Sequence, residues 1–168
     1  MKKILLIIAI SAILSDCKKE KGKPVASPED IARAKSFDST IQGKNYQIAK
    51  YYSNTPIDYI DTDAAIKSET DLFQYVSLWI KDDLNSFNSS TGKVTIQQGA
   101  DKFPGDNSAT IIADYKIGAD ANGVYFDFLN YQYQPLPYRL ITLTDSSFIV
   151  SAELRKGINV ITEFRVKN

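Results

Sequence analysis

Histidine is absent from the 168-residue chain, and cysteine and methionine occur once each. Without histidine there is no imidazole to serve as a general base near neutral pH, to activate a nucleophile or to bind zinc or haem. A lone cysteine forms neither an internal disulfide nor a thiolate cluster. Twenty basic residues balance twenty acidic ones, so no excess positive charge favours nucleic acid. These absences predict a protein that is not an enzyme and that has no cofactor, no metal centre and no nucleic-acid partner.

The first sixteen residues have the pattern of a secretory signal peptide. Two lysines precede an apolar run over 4–14, and that run is too short to span a bilayer as a helix of the mature protein. Cys17 follows at the place where bacterial lipoproteins carry their acylated cysteine, although Asp16 stands where they usually have a small uncharged residue. The resemblance implies cleavage after residues 1–16 and attachment of acyl chains such as palmitate to Cys17. An ordinary secretory signal with an incidental cysteine is the alternative.

Residues 17–27 are interpreted as a flexible tether between the lipid and the folded domain. Lysines outnumber the single glutamate there, and glycine, proline and serine leave little apolar surface to bury. These lysines would lie beside the membrane, where each attracts anionic headgroups by about 1 kcal/mol. A solvated spacer that only limits aggregation is the alternative. Lys18, rather than an aspartate, follows the cysteine, which favours the outer membrane of a Gram-negative cell as the location.

Residues 28–168 are predicted to form one domain of short antiparallel strands. Apolar and polar residues alternate in eight segments, which are 44–52, 84–88, 93–98, 109–117, 124–128, 138–143, 147–155 and 158–167. The turns between most of them are short, and Asn122-Gly123 is typical of a two-residue hairpin. Short turns make successive strands antiparallel, and closing eight strands removes both unpaired edges. The predicted fold is therefore mainly β, an eight-stranded antiparallel up-and-down barrel with one or two short helices. A two-sheet sandwich is the alternative.

Two helices are predicted from capping residues and apolar spacing. Ser27 is a candidate N-cap, and it is followed by proline and two acids. This first helix is expected to run to about Phe37 and to link the tether to the barrel. The second helix is predicted over 70–81, between the first two strands, with one face against an apolar surface. That face comprises Leu72, Phe73, Val76, Trp79 and Ile80.

Three short motifs stand at fixed places in this order of elements. They are Ile41-Gln42-Gly43-Lys44-Asn45-Tyr46 at the first strand, Lys81-Asp82-Asp83-Leu84 with Phe87 after the second helix, and a turn at Gly92 before six antiparallel strands. With them the chain resembles, over residues 43–168, the lipocalin-like domain of bacterial surface lipoproteins. Tyr46 occupies the region where the family often has tryptophan, and the family's pair of cysteines is absent. The resemblance implies a small calyx-like barrel that binds a molecule rather than catalysing a reaction.

The acidic clusters are poor candidates for chemistry. Asp82 and Asp83 are adjacent, and neighbouring residues of a strand point to opposite faces, so they are interpreted as capping or solvated groups. The segment 120–123 is similar to the end of a calcium loop but lacks that loop's first acid and its final glutamate, and it is interpreted as a hairpin turn. Three further acids are interpreted as solvated loop residues rather than a weak calcium site. They are Asp58, Asp61 and Asp63.

A tyrosine-rich stretch supplies the candidates for ligand binding. Tyrosine combines apolar area with a terminal hydroxyl, which suits a pocket with one wet end. Residues 131–135 are expected in the loop between strands five and six, at one mouth of the barrel. The ligand-binding candidates are Tyr115, Tyr125, Phe126, Phe128, Tyr131, Tyr133 and Tyr138. Packing of this loop over the barrel end, above an interior filled by bulky residues, is the alternative.

The sequence thus predicts a membrane-anchored, non-enzymatic lipoprotein whose barrel binds a small apolar or amphipathic ligand. The alternative is a surface interaction or structural module with a filled barrel, whose loops at 53–71 and 99–107 contact another protein. A hydrolase is a further alternative, for which only carboxylates and hydroxyls are available. A cavity of a few hundred cubic ångströms would favour ligand binding, and a filled core would favour the interaction module.

Overall fold

Eight antiparallel strands close into a barrel. The computed structural model describes residues 25–60, 66–129 and 137–167. The strands are β1 (Asn45–Ile60), β2 (Ile66–Asp71), β3 (Leu84–Asn88), β4 (Lys93–Gln97), β5 (Thr110–Asp120), β6 (Gly123–Leu129), β7 (Tyr138–Leu143), β8 (Ser147–Arg155) and β9 (Ile158–Val166). The strand β1 is hydrogen-bonded to β3, and each strand from β3 to β8 is hydrogen-bonded to the next one along the chain. The last strand, β9, pairs with β1. The predicted up-and-down barrel is confirmed, and the two-sheet alternative is wrong.

The seam between β9 and β1 closes the barrel. It runs from the pair of Tyr46 with Val166 to the pair of Ser53 with Val160. The register shifts between Ile48 and Lys50, so that one residue of β1 is unpaired as in a β-bulge. Because side chains alternate with a period of two, this extra residue moves the inward positions of β1 from even to odd numbers.

The strand β1 continues past the barrel and forms a ribbon with β2. Ile57 pairs with Glu69 and Asp58 with Ser68, on the edge of β1 opposite β9, because Tyr52 pairs with both Asp71 and Ile161. Sequence analysis placed loops over 53–71, and that prediction is wrong where these strands form. Asp58 lies in β1, whereas Asp61 and Asp63 lie outside the described residues.

The prediction of one helix over 70–81 is wrong. The strand β2 ends at Asp71, a 3₁₀ helix occupies Phe73–Tyr75, and a single helical turn, α2, occupies Leu78–Lys81. The Asp71 carboxylate accepts a hydrogen bond of 3.0 Å from the Phe73 backbone N–H, a local turn that competes with a continuous helix. Of the five residues of the predicted apolar face, only Leu72 is buried.

The helix α1 (Pro28–Ile41) is part of the barrel core. Its predicted start is confirmed, because the Ser27 hydroxyl accepts a 3.0 Å hydrogen bond from the Asp30 N–H. It extends four residues beyond the predicted end at Phe37 and buries Ala34, Phe37 and Ile41. The helix therefore fills one end of the barrel, and the expectation that it serves only as a linker is wrong. Residues 1–24, with the predicted signal, Cys17 and most of the tether, lie outside the described residues.

An aromatic cluster packs around this helix. Phe37 is fully buried, and its ring centroid lies 5.2 Å from that of Phe148 and 5.8 Å from that of Phe126. The Tyr46 and Phe164 rings lie 5.1 and 4.6 Å from that of Phe148. Aromatic pairs at these separations stabilise a core beyond the area that they bury.

Replacing Phe37 by alanine is expected to lower the free energy of unfolding by about 3–5 kcal/mol, because the change leaves a large hole inside the barrel. Urea unfolding, followed by the fluorescence of the single tryptophan, measures the loss. Ile31→Ala is the matched control, since Ile31 lies on the same helix and is 44% exposed, and it is expected to cost less than about 1 kcal/mol. Equal losses in the two variants would contradict the placement of α1 in the core.

Candidate ligand site at the far end of the barrel

The helix α1 is tied to one end of the barrel, which we call the helix end. Gln42 accepts a 2.8 Å hydrogen bond from the Ser89 N–H in the β3–β4 turn. The Arg33 guanidinium donates to the carbonyl of Ile141 at 2.7 Å, and Lys44 donates to that of Asp145 at 2.8 Å. The opposite end, where β4 leads to β5 and β8 to β9, is the far end. The two ends are packed differently.

The helix end is filled by the aromatic cluster. The Tyr115 hydroxyl donates to the Asp38 carboxylate at 2.9 Å and accepts from the Gln42 amide at 3.1 Å. Burial raises the pKa of Tyr115 to about 12, the Gln42 bond opposes this, and Asp38 adds to it. Phe126 is fully buried beside Phe37. The structure thus places two of the ligand-binding candidates, Tyr115 and Phe126, against α1.

Smaller side chains line the far end. Ser53, Ala152, Val160 and Thr162 are all buried there, on strands whose other halves carry the large aromatic residues. A second apolar cluster is centred on Leu72, Ala152 and Val160, and partly buried residues pack against it. We call this the far cluster; its partly buried members are Tyr51, Ile57 and Tyr138. The change from phenylalanine to alanine, serine and threonine reduces the side-chain volume in this half.

The hydroxyl of Thr162 stands between the aromatic cluster and the far cluster. Thr162 pairs with Tyr51 on one side and Val150 on the other, and the side chain is 4% exposed. Its Oγ1 atom has no hydrogen-bond partner among the described residues, whereas the neighbouring Ser53 hydroxyl donates to the Thr55 carbonyl at 2.6 Å. A buried hydroxyl without a partner costs about 1–3 kcal/mol. This hydroxyl therefore has unused hydrogen-bonding capacity.

Two tyrosines belong to the far cluster. Burial raises the pKa of Tyr138 to about 12, with a smaller contribution from Tyr51. Burial also raises the pKa of Tyr51. Both side chains are therefore uncharged at physiological pH, and their hydroxyls can donate hydrogen bonds. Tyr138 is the ligand-binding candidate that the structure places at the far end.

The far end also has a polar wall. Gln98 accepts a 2.7 Å hydrogen bond from the Phe103 N–H and donates to the Ser108 carbonyl at 2.9 Å, so it holds the connection between β4 and β5. Asn85, buried beside the aromatic cluster, donates to the carbonyl of Tyr46, with which it pairs, at 3.2 Å. Asp83 accepts from the Gly99 N–H at 3.3 Å. The buried polar groups of this wall therefore bond mainly to backbone.

Asp82 and Asp83 both contact the β4–β5 connection. Asp82 is the residue after α2 and accepts a 3.1 Å hydrogen bond from the Asp101 N–H. It precedes β3, so the alternation of a strand does not separate the two carboxylates. Burial raises the pKa of Asp83 to about 6; the Gly99 bond opposes this, Asp82 adds to it and Lys102 reduces it. Their role here is to cap backbone N–H groups.

The remaining candidates are divided among several places. Phe128 packs against the aromatic cluster. Tyr125 lies on the outer face, where its ring covers Gly118, and a side chain at Gly118 would collide with it. The Lys116 and Arg139 side chains flank that ring at 5.7 and 5.9 Å from its centroid. Tyr131 and Tyr133 lie outside the described residues.

Sequence reasoning missed most of the far end. The shift in β1 hides Tyr51 and Ser53, because the alternation breaks at that point. Its apolar spacing places Leu72 in a predicted helix. Thr162 lies in the last predicted strand, but an isolated threonine carries no signal that its hydroxyl is unpaired.

Neither grouped metal ligands nor similar proteins point to a function. Within residues 25–60, 66–129 and 137–167 no three or more Asp, Glu, His or Cys side chains are grouped so that they could hold a metal ion. The turn at 120–123 is a hairpin, as predicted, and Asp120 pairs with Gly123. No helix in the described part of the chain has the length and apolar character needed to cross a membrane.

Comparison with models of known protein families and with characterised protein sequences finds no match.

Replacing Asp83 by asparagine is expected to stabilise the fold at pH 7.5 by about 1–2 kcal/mol. The pKa of Asp83 is about 6 in the folded protein against an ordinary value of 3.8, so the folded state holds this proton more tightly. Stability therefore falls as the pH rises from about 4 through 6, and the ionised group costs stability above that range. Asparagine still accepts the Gly99 hydrogen bond without the charge.

Urea unfolding of Asp83→Asn and wild type at pH 4 and pH 7.5 measures this difference. The gain is expected only at pH 7.5. Asp101→Asn, which changes an exposed carboxylate in the same connection, is the control and should leave the pH dependence unchanged. A gain that is equal at both pH values would contradict the assignment to ionised Asp83.

Proposed function

We propose that this protein is a lipid-anchored, non-enzymatic binding protein of the outer membrane, whose barrel holds a small, uncharged amphipathic molecule at the far end. The observation that carries the proposal is the unpaired, buried Thr162 hydroxyl beside the small side chains of Ala152 and Val160. A site that binds a small molecule combines an apolar lining with a few placed polar groups. The far end has this composition.

The filling of the helix end limits the size of the ligand. Because α1 and the aromatic cluster occupy that half, a ligand is confined to the part of the barrel between Thr162 and the far end. Along β9 the distance from Thr162 to Ile158 is about 13 Å, at about 3.3 Å per residue. This length suits a short amphiphile rather than a long acyl chain.

The residues at the far end favour an uncharged polar head. The Thr162 hydroxyl can hydrogen-bond to a hydroxyl, carbonyl or amide, while the apolar body of the ligand packs on Ala152, Val160 and Leu72. Asp83 is buried at the same end and is largely ionised above pH 6. A ligand carboxylate would be repelled by it. We therefore expect an alcohol to bind better than the fatty acid of the same length.

Decanol and decanoate are the probes for this proposal. Titration calorimetry with the full-length protein in detergent should show decanol binding more tightly than decanoate. Thr162→Val keeps the side-chain shape and removes the hydroxyl, and it is expected to weaken decanol binding about tenfold. The same change is expected to raise the free energy of unfolding of the free protein by about 1 kcal/mol, because the unpaired hydroxyl is gone.

Thr142→Val is the matched control, since Thr142 is exposed near the opposite end of β7. It should change neither binding nor stability appreciably. Equal decanol affinity in Thr162→Val and wild type would refute the role of Thr162, and the absence of binding by either probe would count against the ligand class.

The alternative function is an interaction or structural module without a small ligand. The aromatic filling of the helix end favours it. Native mass spectrometry of the protein purified from its own cells distinguishes the two functions. Retained mass of a small uncharged molecule, lost in Thr162→Val, supports the binding protein, and the bare polypeptide mass supports the module.

Membrane attachment through Cys17 is tested separately. Cys17→Ser is expected to abolish labelling by radioactive palmitate and to move most of the protein from the membrane fraction to the soluble fraction, because stable attachment needs the acyl chains. Ser27→Ala, which leaves the cysteine in place, is the control and should remain in the membrane fraction. Continued membrane association of Cys17→Ser would contradict the anchor.

A further inference from the structure

The outer edge of β2 points to an interaction that the barrel itself does not need. The strand β2 pairs with β1 on one side and stands first in the strand order, so its other edge has no neighbouring strand among the described residues. Such an edge is a template for another strand. We propose that this edge pairs with the same edge of a second copy of this chain.

Most side chains of the ribbon that carries this edge are exposed. Lys67, Ser68 and Thr70 are exposed, and so are Asn54 and Asp58 on β1, whereas Ile57 packs against the far cluster. A two-stranded ribbon is only marginally stable in water, and further strands stabilise it. Pairing of two such ribbons gives a four-stranded sheet that links two barrels.

The charges along β2 are complementary to themselves. In a two-fold antiparallel arrangement centred on Ser68, Lys67 of each copy lies opposite Glu69 of the other. Opposite charges directly across an antiparallel pair stabilise it, and like charges destabilise it. A register centred on Glu69 would instead place the two Glu69 side chains opposite each other. The charge pattern therefore selects the Ser68-centred register.

The Glu69 carboxylate is held in position before any partner binds. The Tyr75 hydroxyl donates to it at 3.2 Å, and the Gln74 amide also donates to it. The 3₁₀ helix that follows β2 thus fixes the acid of the proposed pair. A fixed side chain loses less freedom when a partner binds.

Disulfide capture in the cell envelope tests the proposal with the full chain. Because Ser68 faces itself across the two-fold axis, Ser68→Cys should yield a covalent dimer on a non-reducing gel after mild oxidation. Wild type, whose single cysteine is Cys17, gives the background. Ser146→Cys, at an exposed turn of the helix end, reports random collisions and should remain at that background.

Charge exchange then tests the register. Adding Lys67→Glu to Ser68→Cys replaces two attractive pairs by two repulsive ones, and it is expected to lower the dimer yield about tenfold. Adding Glu69→Lys to that variant restores opposite charges and should recover the dimer. Lys156→Glu, a control in the β8–β9 turn, should leave the yield unchanged.

The outcomes are decisive in either direction. A Ser68→Cys dimer that falls with Lys67→Glu and returns with the exchanged pair supports the two-fold edge. A dimer yield no higher than that of Ser146→Cys, a yield insensitive to the exchange, or a cross-linked band to a different protein would overturn it. Protease resistance of each variant in the same cells shows that it is folded, and the reciprocal Glu69→Lys single variant replaces Lys67→Glu if that one is not.

Discussion

The hydrogen-bonded seam between β1 and β9 is the constraint on which the structure depends. It joins residues more than a hundred positions apart, from Tyr46 with Val166 to Ser53 with Val160. Without it the sheet would have two free edges and its inner face would be open to water. With it, alternate side chains of eight strands meet in one interior, and a helix at one end completes the packing.

This interior is divided by the sizes of its side chains. Phenylalanine and tyrosine fill the helix end around Phe37, whereas the far end combines alanine, serine, threonine and valine with Leu72, Tyr51 and Tyr138. The residues that stabilise the fold and those of the proposed site therefore occupy opposite ends of one barrel interior. Each half carries a buried hydroxyl without a hydrogen-bond partner among the described residues, that of Tyr46 in the aromatic cluster and that of Thr162 beside the smaller residues.

Much of the barrel could be predicted because its strands alternate cleanly. In β4 only Val94 and Ile96 are buried, and in β8 Phe148, Val150 and Ala152 follow the same rule. The far end could not be predicted, because a single extra residue in β1 reverses the alternation before Tyr51. Local hydrogen bonding at Asp71 ended a helix whose apolar spacing was favourable. An apolar pattern indicates which positions of a segment are buried on average. It does not show where a strand shifts register, nor whether a buried hydroxyl has a hydrogen-bond partner.

The position of α1 determines how the molecule would respond to tension. The chain enters this helix at Pro28, and Phe37 and Ile41 lie inside the barrel. A pull from the amino-terminal side would therefore load the contacts of these side chains before it reached the strand hydrogen bonds. Mechanical failure would begin with extraction of the helix, and a barrel that had lost it would expose the rings of Phe126 and Phe148 to water.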